Sequence, residues 1–295
     1  MKKILYLLGK ETRNIREEIY DLPKEGLDTK EIVDKVEKLI YDKGFSSAFP
    51  CTVCINEVAA HFTPFKEGEI LKKGDVLKVD FGLYYNGYIS DNAFTVEVGT
   101  NNYSKLLETT MKALNNAIEN IEVGSTMDQL GEIVENTAAE NNFNTIHNLR
   151  GHQIGVDDLH CGINVPNYKN NDKKQVEENM EIAIEPFLTT GEPKVKGTGP
   201  SNILSLISEK PTRDPIARKL LKEIREKYSK MPFAKRWLLE NFDERKISYG
   251  LNVLKREGIV FEYEALSSTD NSVIAQFEDT VIFDEKNKEI ITRLK

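Results

Sequence analysis

The chain has 295 residues, of which 39% are hydrophobic and 30% are charged. This composition is that of a globular protein with enough apolar residues for a substantial core. The formal net charge of −8 argues against nucleic acid as the main ligand. No apolar stretch approaches the roughly 20 residues that a membrane-spanning helix needs, so we expect no membrane partner.

Two features bear on the compartment. The segment Met1–Gly9 superficially resembles a signal peptide, but its apolar run of about five residues is too short for one. The three cysteines, Cys51, Cys54 and Cys161, are an odd and sparse set, which fits a reducing environment. We therefore expect a cytoplasmic protein, and we expect it to be a monomer.

Hydrophobic spacing divides the first half of the chain into three segments. Residues 10–45 and 103–142 carry apolar residues at helical intervals among charged ones. Residues 46–100 lie between them and are rich in strand-forming residues. Along the chain, helical segments therefore precede and follow a strand-rich segment.

The second half has a different pattern. Residues 146–187 are irregular and polar until the apolar strand Ile182–Ile184, and the Gly- and Pro-rich segment Gly191–Pro200 predicts a long loop. Amphipathic helices follow, and strands resume in the last forty residues or so. This pattern predicts a helical insertion subdomain at 196–257 within one larger domain formed by 1–195 and 258–295.

The most informative local pattern is a hairpin. Strand-forming residues flank Asn86-Gly87, which is a strong signal for a type I′ turn. With those two residues as the loop, residue 85 pairs with 88, 82 with 91 and 80 with 93. Asp80 and Asp91 then share a face as diagonal neighbours, and Gly82 stands opposite Asp91, where we expect open space above the sheet. Two such carboxylates repel each other unless a cation lies between them, although solvated strand residues are the plainer alternative.

Other titratable residues strengthen the case for a cation site. Three of the four histidines, His61, His152 and His160, lie in turn-like sequences, whereas we interpret His147 as structural. Glu185 and Glu278 are embedded in apolar segments, where an unpaired carboxylate would be costly. A buried salt bridge is the alternative explanation for each glutamate.

Five short blocks occur in order along the chain: Phe49-Pro50 with Ile55–His61, Val79–Gly82, Gly151-His152 with His160, Ala183–Phe187, and Ala275–Glu278. Together they resemble those of one enzyme family, the methionine aminopeptidases of type 2, in a short archaeal-like form. The resemblance extends over essentially the whole chain.

The resemblance implies an α/β pita-bread fold, of the α+β type, with a curved antiparallel sheet, outer helices and a helical insertion. Residues 1–195 and 258–295 would then form the catalytic domain. It also implies five metal ligands, which are Asp80, Asp91, His152, Glu185 and Glu278. Four carboxylates and one imidazole form a hard, oxygen-rich ligand set that suits Mn, Fe or Co, with Zn also compatible. Four negative charges balance two divalent metal ions per chain.

The implied activity is removal of the initiator methionine from nascent proteins whose second residue is small, by attack of a metal-activated hydroxide on the first peptide bond. Glu185 would also shuttle the proton, His160 would stabilise the oxyanion and His61 would contact the scissile amide or the next residue. Phe49 and Leu159 would form the methionine pocket. The partners are thus the N-termini of peptides and nascent chains.

Two other functions remain open. A prolidase of the same fold would carry a larger N-terminal domain, and an inactive relative could serve as a ribosome- or nucleic-acid-binding module but would lack metal ligands. The segment Ala217–Arg236 is rich in Lys and Arg, which indicates either a solvated helix face or docking on ribosomal RNA. Cys51 and Cys54 have no second cysteine pair to complete a zinc site. Arg150 and Cys161 depart from the family pattern.

Overall fold

The computed structural model describes residues 2–284 and 287–293. The outermost residues of the predicted catalytic domain, Met1 and 294–295, lie outside this range. The helices follow the amphipathic segments of the sequence. Two of the first four begin after a capping residue: the Asp28 side chain accepts a hydrogen bond from the backbone amide of Lys30, and Thr126 forms a capping box with Gln129. The helices are α1 (Lys2–Ile19), α2 (Thr29–Asp42), α3 (Ser104–Asn120), α4 (Met127–Ala139), α5 (Pro215–Lys227), α6 (Glu244–Arg256) and a 3₁₀ helix (Lys235–Glu240).

The strands are mostly short, and among the described residues every pair of neighbouring strands is antiparallel. They are β1 (Ser46–Ser47), β2 (Thr52–Ile55), β3 (Val58–Ala60), β4 (Val76–Tyr85), β5 (Tyr88–Glu97), β6 (Asn144–Thr145), β7 (Arg150–Gly155), β8 (Asp158–Pro166), β9 (Glu181–Ile184), β10 (Phe187–Thr189), β11 (Val195–Leu206), β12 (Phe233–Ala234), β13 (Val260–Ser268), β14 (Ile274–Gln276), β15 (Glu278–Phe283) and β16 (Lys288–Ile290).

One nine-stranded sheet organises the molecule. Its main order is β1-β4-β5-β15-β9-β7-β8, with β2 beside β4 and β16 beside β15. The helices α1 to α4 pack their apolar residues against one face of this sheet, which forms the main core. The helices therefore cover one face, and side chains of the other face are free to line a cavity.

The hairpin has the predicted register. Tyr85 pairs with Tyr88, Gly82 with Asp91, and Asp80 with Ala93. The expectation of open space above Gly82 is wrong, because a Cβ atom at this position would lie 2.7 Å from Cε1 of Phe49. The space is filled by a residue from the segment between β1 and β2, which the hairpin sequence alone does not reveal.

Two polar segments form strands that the sequence pattern did not predict. Residues 146–187 contain β7 and β8, which pair through Arg150 to Gly155. The predicted loop Gly191–Pro200 is largely the start of β11, which pairs with β13. The register shifts after Gly197 and after Pro200, and such irregularities accommodate glycine and proline in a strand.

The predicted insertion contains its own small core. Apolar residues of α5, α6 and the 3₁₀ helix pack against β11 and β13 in a cluster separate from the main one. The predicted start of the subdomain at residue 196 falls inside β11 (Val195–Leu206), and its boundaries stay a prediction. In the described part of the chain, no helix is long and apolar enough to cross a membrane.

Candidate metal centre and substrate cavity

All nine residues predicted for ligation, catalysis or substrate binding line one cavity, which we call the inner cavity. Its volume is about 320 Å³. The cavity lies on the face of the nine-stranded sheet that α1 to α4 leave uncovered. The nine residues are Phe49, His61, Asp80, Asp91, His152, Leu159, His160, Glu185 and Glu278.

Three of the five predicted ligands converge tightly. Asp91 on β5, His152 on β7 and Glu278 on β15 each offer one atom, and these atoms lie within 4.8 Å of one another. The Nε2 atom of His152 is 3.5 Å from Oδ2 of Asp91. All three side chains are buried, with 3%, 6% and 1% of the residue surface exposed.

Asp80 and Glu185 complete the wall of the same cavity. Asp80 pairs with Ala93 from one side and Glu278 pairs with Ala93 from the other. Directly opposed residues share a face of a sheet, so the two carboxylates reach over the small side chain of Ala93. Glu185 follows β9 and accepts a 3.0 Å hydrogen bond from Nε2 of Gln276.

The electrostatics of these carboxyl groups favour a cation. Burial, followed by repulsion from neighbouring carboxylates, raises the pKa of Asp80, Glu185 and Glu278 well above the usual range. Burial also raises the pKa of Asp91 to about 7. In the described part of the chain, neither Glu185 nor Glu278 forms an ion pair with a basic side chain, and the nearby Arg16 pairs with Asp279 instead, so the salt-bridge explanation for the two glutamates does not hold.

Unpartnered polar atoms give an independent indication. Within the described chain, Oδ1 of Asp80, Oδ1 of Asp91 and Nδ1 of His152 are buried without a hydrogen-bond partner. Such atoms are rare in native proteins unless an ion or water satisfies them. Carboxylate oxygens and imidazole nitrogen are good ligands of divalent transition metals. The residues therefore fit a cation site.

Contacts between rings position the three histidines around this centre. The ring of His160 meets that of His152 edge to face, with centroids 4.2 Å apart. His61 adopts a left-handed backbone conformation, with φ 63°, directly after β3, and its ring packs on Tyr263 at 5.6 Å. Burial lowers the pKa of both His61 and His152 to about 4, so both are neutral near pH 7.

The apolar part of the cavity includes the two predicted pocket residues. Leu159 is buried in a cluster with Ile89, Ile154 and Ala183, and Phe49 packs on the edge of that cluster. The lining residues that the sequence did not predict include four of the larger apolar or aromatic ones. They are Phe187, Ile203, Tyr263 and Leu266.

Tyr263 and Leu266 come from β13 and Ile203 comes from β11, two segments in which no functional residue was predicted. The signal that was available is the alternation of apolar and polar residues in Val260–Ser268. Arg150 also lines the cavity, so its departure from the family pattern lies where substrate would pass.

The remaining candidates have structural explanations. His147 stacks on Tyr168 with centroids 4.3 Å apart, as expected for a structural residue. Cys51 and Cys54 are buried free thiols, and burial raises the pKa of both. Cys161, which follows His160 in the chain, is half-buried and is also free.

Comparison with known proteins identifies the class. The chain matches the model of metallopeptidase family M24 over residues 8–285. Because this match covers nearly the whole chain, the chain belongs to metallopeptidase family M24. Its relatives are more specific and confirm the resemblance to type 2 methionine aminopeptidases. It is 37% identical to the methionine aminopeptidase of Thermococcus kodakarensis over 99% of both chains. It is 35% identical to methionine aminopeptidase 2 of Kluyveromyces lactis, over 95% of this chain and 73% of that protein.

Solved structures agree on the fold. A thermophilic Arx1 superposes with a TM-score of 0.84 at 16% identity, covering 97% of this chain and 89% of that one. The methionine aminopeptidase of Thermotoga maritima superposes with a TM-score of 0.71 at 21% identity, over 98% and 95% of the two chains. These likenesses confirm the predicted pita-bread fold.

Proposed function

We propose that the chain is a methionine aminopeptidase that hydrolyses the first peptide bond of polypeptides beginning with methionine and a small second residue. The observation that carries this proposal is the convergence of Asp91, His152 and Glu278 within 4.8 Å, inside a cavity also lined by Asp80 and Glu185. The near full-length relatives named methionine aminopeptidase support the same activity.

The five ligands would hold two divalent ions, with Mn, Fe or Co favoured by the oxygen-rich donor set and Zn also compatible. Such ions polarise a carbonyl group, and they lower the pKa of a water molecule bound to them to near neutrality. The four carboxylates would carry four negative charges to balance two such ions. The raised pKa values of these groups in the metal-free site imply that ion binding displaces protons from it.

Three side chains would carry out proton transfer, oxyanion stabilisation and substrate contact. Glu185 would take a proton from the attacking water and return it to the leaving amine, since a carboxylate held at the reacting centre suits this exchange. His160 would donate a hydrogen bond to the developing oxyanion. His61, neutral at pH 7 and positioned by Tyr263, would contact the scissile amide or the residue after it.

Substrate selection would come from the apolar wall. Phe49 and Leu159 would contact the methionine side chain, with Phe187 and Leu266 as additional lining residues. The inner cavity, at about 320 Å³, is at the lower end of the range for small-molecule sites. It would therefore accept the first residues of a chain and exclude an internal segment.

A peptide series tests this proposal against the prolidase alternative. Purified protein loaded with Mn²⁺ is incubated with Met-Ala-Ser, Met-Leu-Ser and Ala-Pro, and the released amino acid is measured. We expect methionine from Met-Ala-Ser, much less from Met-Leu-Ser and no cleavage of Ala-Pro. Cleavage of Ala-Pro alone would instead identify a prolidase.

The same preparation can be used to test the alternative that the chain is an inactive binding module. An inactive relative would release nothing from any peptide and would bind no divalent ion. We expect bound metal and peptide hydrolysis in the same preparation, since the ligand atoms already converge.

The cytoplasmic location and the monomeric state stay predictions. Ribosome association is also a proposal, and the basic segment supports it only weakly. Four of its eight basic residues are in ion pairs with acidic residues: Lys222, Arg225, Lys227 and Arg236. Co-sedimentation with ribosomes at rising salt would test it, since phosphate contacts weaken steeply as salt increases.

A further inference from the structure

A second and larger cleft opens beside the inner cavity, and we call it the outer groove. Its volume is about 920 Å³. One wall is formed by the end of α2 and the segment Phe45–Ser47, and a second by the β7–β8 turn at Val156–Asp158. Residues 227–232 and Trp237 of the predicted insertion form the third.

The outer groove is continuous with the inner cavity. Four residues line both spaces: Leu159, His160, Pro232 and Tyr263. His160 is one of the residues assigned to the reacting centre above. A chain whose N-terminus lies at the metal centre can therefore leave the inner cavity past His160 and enter the outer groove.

The size of the inner cavity makes such an exit necessary. About 320 Å³ is the volume of a small-molecule site, and part of it is lined by the five ligands. A protein substrate continues far beyond its second residue, and each further extended residue adds about 3.3–3.6 Å of length. The later residues must lie outside the inner cavity, and the outer groove is the space that adjoins it.

The surface of the outer groove is suited to a polypeptide rather than to a charged ligand. Aromatic side chains form much of it, including Phe45, Tyr84, Tyr228 and Trp237. Two large apolar side chains at its walls are exposed to solvent, Tyr41 with 79% and Val156 with 63% of the residue surface accessible. Exposed apolar groups on the walls of one cleft are typical of a binding surface.

The charges of the groove largely offset one another. Lys227 pairs with Glu223 and Glu240, and Glu37 pairs with Arg236. The other charged residues of the groove are Asp157 and Asp158 on one wall and Lys230 on another. A groove with aromatic walls and little net charge favours contacts that tolerate many substrate sequences.

Building on the function proposed above, we propose that the outer groove binds the segment of the substrate polypeptide that follows its second residue. Its occupant is an extended, unfolded stretch of the same chain whose methionine lies in the inner cavity. Contact in the groove increases the affinity of the protein for every substrate that is long enough to reach it. Tyr41 and Val156 provide apolar contacts to that segment.

Comparing substrates of two lengths tests this proposal. The value of kcat/KM is measured for Met-Ala-Ser and for a peptide of about eight residues that begins with Met-Ala-Ser and continues with uncharged residues, long enough to extend about 15–20 Å past the tripeptide. We expect kcat/KM to be about tenfold higher for the longer peptide, as contact with one or two apolar side chains would give. The combined variant Tyr41→Ser, Val156→Ser should lose most of this gain and should cleave Met-Ala-Ser at the wild-type rate.

Ile70→Ser is the matched control, because Ile70 is also exposed, at 55%, and does not line the outer groove. It should keep the full gain. The gain should also persist at about 0.5 M salt, since apolar contact is not screened. Equal kcat/KM for the two peptides, or a gain that the groove variant retains, would overturn the groove proposal while leaving the proposed function intact. A wild-type protein that cleaves neither peptide would contradict the proposed function itself.

Discussion

The carboxylate of Glu37 on α2 binds the guanidinium group of Arg236 in the 3₁₀ helix of the predicted insertion. The same carboxylate accepts a 2.8 Å hydrogen bond from Nε1 of Trp237 and a 3.3 Å bond from the backbone amide of Cys51. Cys51 lies two residues after Phe49 in the chain, and Arg236 four residues after Pro232. The ion pair thus joins two walls of the inner cavity.

We expect Glu37→Gln to damage both stability and substrate binding. Breaking a buried ion pair from one side costs about 3–5 kcal/mol, because the remaining charge is left without its partner. The apparent Tm should fall, and KM for Met-Ala-Ser should rise more than kcat falls, because Phe49 and Pro232 lose a common anchor. Glu31→Gln, at an exposed position on the same helix, is the control and should change neither value. A lower Tm with unaltered KM would restrict the ion pair to a structural role.

Gly82 allows Phe49 to lie against the sheet. A Cβ atom at residue 82 would meet Cε1 of Phe49 at 2.7 Å and the carbonyl oxygen of Ser90 at 2.8 Å. We expect Gly82→Ala to shift the Phe49 ring and to destabilise the fold by about 1–3 kcal/mol, as overpacking does. Steady-state kinetics with Met-Ala-Ser should show a raised KM. If KM is unchanged while the fold is destabilised, Phe49 does not contact the methionine side chain.

His160 is expected to act on the reaction and not on metal binding. Removal of one oxyanion-stabilising donor typically costs about 10²–10³ in kcat. We therefore expect His160→Ala to lower kcat by a factor in this range while metal stoichiometry, measured on the dialysed protein, stays at the wild-type value. Loss of metal in the variant would mean that His160 belongs to the ligand set.

The metal-free protein should lose stability as the pH rises above neutrality. A carboxyl group whose pKa is higher in the folded than in the unfolded state stabilises the fold below its unfolded pKa, and the contribution disappears as the pH rises through the folded pKa. Burial raises the pKa of Asp91 to about 7 and that of Glu278 well above its usual range. Each excess proton on the folded state is worth about 1.4 kcal/mol per pH unit.

Buried histidine and lysine side chains limit the pH range in which the carboxyl groups alone determine how stability changes with pH. The pKa values of His61 and His152 are lowered to about 4, so their contribution rises with pH and levels off above the unfolded value of about 6.5. Burial lowers the pKa of Lys78 to about 8, which stabilises the fold with rising pH only above that value. Thermal unfolding between about pH 6.5 and 8 should therefore show a falling Tm without metal and a much flatter profile with saturating Mn²⁺. A metal-free Tm that stays level or rises in this window would contradict the assigned cluster.

The sequence predicted local features well and non-local ones poorly. Asn86-Gly87 determines the hairpin register, because the turn type requires positive φ at both positions, as found. The filling of the space above Gly82 by Phe49 depends on a distant segment, so no hairpin pattern could reveal it. The strands β7 and β8 were not predicted because polar residues and glycines interrupt their apolar pattern: Ile163 and Val165 reach the main core, whereas polar neighbours such as Asn164 line the inner cavity.

The ligand set could not be derived from local pattern alone. Glu278 and Asp279 are adjacent and both buried, yet only Asp279 pairs with basic residues, Arg16 and Arg293. Successive residues of a strand point to opposite faces, which separates the two roles. The choice between them in the sequence rested on the family resemblance, and the structure supplies the physical reason.

The most direct test of the central claim is methionine release from Met-Ala-Ser, measured as Mn²⁺ is added to metal-free protein, for the wild type and for Asp91→Asn. Asp34→Asn, which alters only an exposed ion pair with Lys30, serves as the control. We predict that release by the wild type and the control rises with Mn²⁺ to a plateau, and that Asp91→Asn releases no methionine and binds less metal. Release by Asp91→Asn equal to that of the wild type, or a wild type inactive with Mn²⁺, Fe²⁺, Co²⁺ and Zn²⁺ alike, would contradict the account.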